Sequence, residues 1–248
     1  ASGGTEPNIT TTTNVDVRNL TIDGNAAGVA TNPATGEKYE VDGFYTGPKP
    51  GTALADTDIV LDGVEILNMT RYGFDPHEQT VGLSISNSVS HDNGLDGFAI
   101  DFCSDVALSN NLAFDNGRHG FNIITSSSNV TMTGNISRDN GGSGIVVQTG
   151  DNEARALTQN VTILGGAVYG NADEGIILRQ VDSIYLGTNA EGSISSGVNV
   201  HGNGKAGLLI EGSSNVNVKN NSIFGNTLAL DASALGRDSE IYVKGYKQ

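Results

Sequence analysis

A glycine followed by a large apolar residue returns along the whole of this chain, and that repeat limits the possible folds more than any other feature. The pairs are Gly43-Phe44, Gly73-Phe74, Gly97-Phe98, Gly120-Phe121, Gly144-Ile145, Gly175-Ile176 and Gly207-Leu208, with successive glycines 30, 24, 23, 24, 31 and 32 residues apart. Upstream, Asn93, Asn116, Asn140, Asn171, Asn203 and Asn226 step by 23, 24, 31, 32 and 23 residues. The two series keep one phase, so the longer steps are insertions elsewhere in the repeat. A fixed period of this size marks a solenoid or a propeller, in which one supersecondary unit buries its apolar face only against the next.

Within each repeat the pattern alternates. Runs such as Val130-Thr131-Met132-Thr133, Val161-Thr162-Ile163-Leu164 and Val216-Asn217-Val218-Lys219 are short, β-branched and period-two. No segment shows a capped 3.6-residue period, so helix is scarce. Leucine-rich repeats need a leucine framework that is absent, and propeller blades are longer, about 40–45 residues. The fold class that remains is all-β: a parallel β-helix of short strands, with coils of 23 to 32 residues. The asparagines fit stacked turns, where they tolerate left-handed backbone and bond along the stack. Residues 1–248 read as one such domain, with an inserted loop region expected over 26–55.

Placing each anchor glycine at position zero gives a register. Position +1 reads Phe74, Phe98, Phe121, Ile145, Ile176, Leu208, and position +3 reads Pro76, Ile100, Ile123, Val147, Leu178, Ile210. Both are apolar and should point inward, so +2 and +4 should face out. Position +4 reads His77, Asp101, Ile124, Gln148, Arg179, Glu211. Neighbouring coils lie about 4.8 Å apart, which puts His77 and Asp101 one rung apart on one outer face.

The densest reactive cluster is Arg71-Tyr72-Gly73-Phe74-Asp75-Pro76-His77-Glu78-Gln79. Asp75 and His77 share the outward face, Asp101 joins from the next coil, and Arg118 and His119 add potential cations two coils on. A tyrosine, a histidine and two carboxylates on one surface can do general acid–base work. A straight strand would hold Tyr72 and His77 about 16 Å apart, so a shared reacting atom requires a bend near Gly73 or Pro76. Asp96, Ser143 and Glu174 read as surface or turn residues, and the lone Cys103 as a buried or turn residue. Asp56, Asp58 and Asp62 could bind Ca²⁺, although Asp-rich turns are common without it.

Composition removes other classes. There are 13 Lys+Arg against 28 Asp+Glu, a net charge of −15, which disfavours nucleic acid as a partner. No apolar run approaches the ~20 residues of a membrane span. One cysteine forms no disulfide framework. The chain begins at Ala1 without a signal peptide, as expected of a processed chain or one cut from something longer.

The stretch Tyr72-Gly-Phe-Asp-Pro-His-Glu-Gln79, followed by His91-Asp-Asn-Gly-Leu-Asp-Gly-Phe98 and Arg118-His-Gly-Phe-Asn122, resembles the catalytic A-module of secreted bacterial mannuronan C5-epimerases, from about Asn14 to Asn226. The resemblance implies a right-handed parallel β-helix, with alginate lying in a groove across the strands. It also implies a catalytic set of Tyr72, Asp75, His77 and Asp101. Implied substrate contacts are Arg71, Arg118, His119, Gln148 and Arg179, the last in place of a lysine in relatives. Lys38 joins them if a local length difference is allowed, since simple alignment puts Glu40 there. Removing Arg118 should then weaken polymer binding and leave folding intact. The implied reaction is conversion of β-D-mannuronate to α-L-guluronate within the polymer, without a required cofactor, by a secreted monomer that binds neither nucleic acid nor membrane; Ca²⁺ could assist. An alginate lyase is the nearest alternative, and a non-catalytic polysaccharide-binding β-helix is the alternative of another class. Relatives carry an N-terminal cap, further coils and Ca²⁺-binding nonapeptide modules that this sequence lacks, so it reads as a central portion of an A-module.

Overall fold

Each repeat closes into one coil of three short strands. The fold is taken from a computed structural model describing residues 8–9, 12–47, 55–77, 79–150, 156–227 and 240–245. One coil, for example, comprises Phe98–Asp101, Ser104–Ser109 and Leu112–Phe114, and the next comprises Phe121–Ile124, Ser128–Thr133 and Ile136–Arg138. Among the described residues, stacking the coils produces three parallel sheets of nine, eight and eight strands. Among the described residues the one helical element is a 3₁₀ turn, Ala26–Gly28.

The register expected from the glycine anchors is the one observed. Phe44 pairs with Phe74, Phe74 with Phe98, Phe98 with Phe121, Phe121 with Ile145, Ile145 with Ile176 and Ile176 with Leu208. These side chains are buried in a single core that runs the length of the solenoid. Rings of Phe74, Phe98 and Phe121 stack almost parallel, with centroids 4.6 Å apart. Ile100, Ile123, Val147 and Leu178 fill the +3 column. The anchor must be glycine because the next coil passes too close for a side chain. A Cβ on Gly120 would lie 2.0 Å from Ser137 Oγ and 2.9 Å from the Gly144 carbonyl.

The asparagines form a buried ladder. Asn93 Nδ2 donates to Asn116 Oδ1 at 2.9 Å, and the pattern repeats from Asn116 to Asn140, Asn171, Asn203 and Asn226. The left-handed backbone expected of these asparagines falls one residue earlier, on Asp92, Asp115, Asp139, Gly170, Gly202 and Gly225. The preceding residue makes the turn, which leaves the asparagine extended enough to reach the next coil.

Position +2 faces away from the core, as the pleat requires, but it is not solvent-exposed. Asp75, Ala99, Asn122, Val146, Ile177 and Leu209 are all buried. Val146, Ile177 and Leu209 form a small apolar cluster of their own with Tyr242. In the region expected as an inserted loop, a Thr31–Lys38 bridge closes an excursion, but Phe44–Thr46 is already a strand of the nine-stranded sheet. Residues 48–54 lie outside the described residues.

Candidate active site

The site lies on the outer face of the nine-stranded sheet, where the strand Phe74–Pro76 is only three residues long. Its two flanks are tied to the preceding coil. The backbone N–H of Tyr72 donates to Asp42 Oδ1 at 3.1 Å, and that of His77 donates to the Thr46 carbonyl at 3.1 Å and to Thr46 Oγ1 at 3.0 Å. Tyr72 thus sits before the strand and His77 after it, and both line one cleft of about 270 Å³ with Asp75 and Asp101. Arg71, Arg118, Asn122 and Gln148 line the same cleft.

Two carboxyl groups are held towards their neutral form. Asp75 is 2% exposed; burial first, and then the nearby carboxylate of Asp42, push its pKa up to about 7. Burial also raises Asp42, against the opposing effects of the Tyr72 N–H and the Arg71 charge. His77 Nε2 lies 3.2 Å from Asp101 Oδ2, and its ring stacks on Tyr45 at 5.6 Å. Tyr72 is flanked by two guanidinium groups, Arg71 at 4.8 Å and Arg118 at 5.5 Å from the ring centre. Arg118 Nη2 donates to the Tyr72 hydroxyl oxygen at 3.4 Å.

The expected basic strip is largely neutralised from within. Arg71 pairs with Glu40 at 2.6 Å, Arg118 with Asp96 at 2.5 Å and Arg179 with Glu211 at 2.8 Å. Arg179 and His119 are not among the cleft residues. His119 is no cation: burial lowers its pKa, and its Nδ1 accepts the Ser143 N–H at 3.0 Å. Lys38 donates to the Ala26 carbonyl and lines a separate, larger cleft of about 770 Å³, which touches the first through Arg71. Asp96, expected on the surface or in a turn, is completely buried.

Asp42, Tyr45, Asp96 and Asn122 are the site residues that sequence reasoning missed. A signal existed for two of them. Asp42 and Asp96 occupy position −1, the column of Tyr72, where a side chain repeatedly accepts the backbone N–H of the next coil: Asp42 from Tyr72, Asp96 from His119, His119 from Ser143.

The Asp residues weighed for Ca²⁺ do not fit that role. Asp56 is buried and accepts the N–H groups of Thr12 and Gly47, while Asp62 accepts from Arg18, Ser86 and Asn87. No metal-binding group of three His, Cys, Asp or Glu exists among the described residues. Cys103 is buried, with its thiol donating to the Pro76 and Asp101 carbonyls; burial first, and then the Asp101 carboxylate, push its pKa up and leave it inert.

The coil geometry and the outer-face cleft define a right-handed β-helix protein, and the chain belongs to that family: the family described as right handed beta helix region matches residues 8–190. Within it, the chain is homologous to the A-module of Azotobacter mannuronan C5-epimerases. It is 43% identical over 180 residues to mannuronan C5-epimerase AlgE3 of Azotobacter vinelandii, covering 73% of this chain and 9% of that protein. The solved A-module of Azotobacter vinelandii mannuronan C-5 epimerase AlgE6 matches with a TM-score of 0.81 at 35% identity, covering 96% of this chain and 56% of the A-module chain. Alginate lyase 7 of the same organism is 43% identical over 114 residues, covering 46% of this chain and 12% of that protein. The chain thus spans a small part of these curated relatives and just over half of the solved A-module.

Proposed function

We propose that this chain epimerises mannuronate to guluronate within alginate by removing the C5 proton and returning one to the opposite face. The observation that carries this reading is Asp75: a buried carboxyl with a pKa near 7, in one cleft with a tyrosine and a histidine. The C5 proton is poorly acidic because it lies beside an ionised carboxylate. A protonated Asp75 can donate a hydrogen bond to that carboxylate, and Arg71 can offset its charge, so that negative charge developing on removal of the proton is stabilised where it forms. Tyr72 and His77 then supply the base and the acid, with Asp101 orienting His77. The chemistry of these steps requires no cofactor. A polymer substrate suits a secreted enzyme, and one groove on one solenoid suits a monomer.

The test is incubation of the protein with polymannuronate in heavy water, following guluronate and C5 deuterium by NMR. Deuterated guluronate is expected, and an unlabelled polymer overturns the reading in favour of a binding module. His77→Ala and Tyr72→Phe separate the roles of base and acid. Loss of the base removes both exchange and inversion. Loss of the acid leaves exchange without inversion, because the base can hand a solvent-exchanged deuteron back to the original face.

The likeness to alginate lyase 7 supports a second reading. A lyase begins with the same proton removal and diverges when the intermediate expels its C4 oxygen, so ultraviolet absorbance from unsaturated ends is followed beside the NMR.

A further inference from the structure

Asp96 is not among the residues that line the cleft, yet two residues that do line it, Arg118 and Asn122, are held by its carboxylate. Its oxygens accept four hydrogen bonds. Oδ1 accepts from Arg118 Nε at 2.6 Å and from the His119 backbone N–H at 3.0 Å. Oδ2 accepts from Arg118 Nη2 at 2.5 Å and from Asn122 Nδ2 at 3.0 Å. Two chains of bonds leave this one group for the cleft. Through Arg118 Nη2 it reaches the Tyr72 oxygen at 3.4 Å, and through Asn122 Oδ1 it reaches Gln148 Nε2 at 3.1 Å.

We propose that Asp96 is the positioning residue for Tyr72, acting through Arg118. The same guanidinium nitrogen, Nη2, serves both Asp96 and Tyr72, so fixing one bond fixes the other. A guanidinium has donors and no acceptor. Its bond to Tyr72 therefore occupies a lone pair of the phenol oxygen and turns the phenol proton away from Arg118, towards the cleft. Only a carboxylate can do this from beneath. It satisfies two parallel guanidinium donors at once and holds them in one plane. A carboxamide in its place would set an NH₂ group against one of the donors and release Arg118, whose side chain is 40% exposed.

This inference rests on Tyr72 being a proton-transfer group, so its test has one arm that reads catalysis and one that does not. In the catalytic arm, Asp96→Asn keeps the charge of Arg118 and lowers kcat about 100-fold with KM little changed, the effect expected of a slightly misplaced reacting group. The measurement is made where circular dichroism shows the variant fully folded, because a purely structural role would then alter neither constant. In the other arm, Arg118→Ala is titrated with methylguanidinium, once with Asp96 intact and once with Asp96→Asn. Methylguanidinium is expected to raise the melting temperature only when Asp96 is intact. Equal effects in both backgrounds, or a wild-type kcat in Asp96→Asn, overturn the proposal. A wild-type protein inert towards polymannuronate would instead overturn the epimerase reading, while the melting arm would still decide whether Asp96 anchors the guanidinium.

Discussion

His77 and Asp101 come from successive coils, and their side chains meet on the outer face of the nine-stranded sheet, Nε2 to Oδ2, at 3.2 Å. The contact depends on stacking: both residues stand four places after their anchor glycines, and a one-residue slip between anchor and side chain would turn either one to the opposite face. It ties a candidate proton carrier to a partly buried carboxylate, one oxygen of which, Oδ1, is buried without a hydrogen-bond partner among the described residues.

His77→Ala and Tyr72→Phe are each expected to reduce epimerisation by about 10²–10⁴-fold with unchanged far-ultraviolet circular dichroism. Tyr72→Phe is the sharper variant because it keeps the ring and removes only the hydroxyl. Near-normal guluronate formation by both variants would remove them from the chemistry.

Asp75 should make both activity and stability fall as pH rises, in different pH windows. Above about pH 7 its carboxyl ionises, the hydrogen bond to the sugar carboxylate is lost and a like charge takes its place, so turnover should fall through that pH. The folded pKa is raised from 3.8, so the folded chain holds this proton more tightly than the unfolded chain does. Its contribution to stability is present below the unfolded value, is lost as pH rises to about 7, and is constant beyond. Asp75→Asn keeps a neutral donor beside the sugar carboxylate, so turnover should lose its fall above about pH 7, while the fold is stabilised by roughly 4 kcal/mol at most above neutral pH, and by little in acid. Urea titrations across pH check the sign.

Arg118→Ala should not leave folding intact, contrary to the expectation from sequence. It strips the guanidinium from a fully buried carboxylate, and breaking such a pair costs about 3–5 kcal/mol. Adding Asp96→Asn should recover part of that loss in a urea titration, because the buried charge disappears with it.

Glu40→Gln should strengthen binding of polymannuronate. Glu40 is largely exposed and holds Arg71, a cleft residue, at 2.6 Å, so it competes with substrate carboxylates for that cation. An exposed pair contributes up to about 1 kcal/mol, which sets the gain at roughly fivefold or less in Kd. Titrations over a salt series would read it, and unchanged affinity at low salt would place Arg71 outside the polymer's path.

The sequence by itself determined the solenoid, its register and the meeting of His77 with Asp101. Those features follow from short-range rules: the pleat alternates inward and outward, each coil adds one strand spacing, and glycine and asparagine recur where the next coil approaches. Only the tertiary structure decided which outward residues are buried and which charges are already paired. Asp75 and Ala99 look like surface positions on the pleat and are buried. Arg118 looks like a free groove cation and is spent on Asp96, 22 residues earlier in the chain. Burial and ion pairing depend on how side chains from different coils lean over one another, and the resulting desolvation sets the protonation of Asp75. Alternation along a strand shows the direction a residue faces, but what it meets there is settled by neighbours distant in the chain.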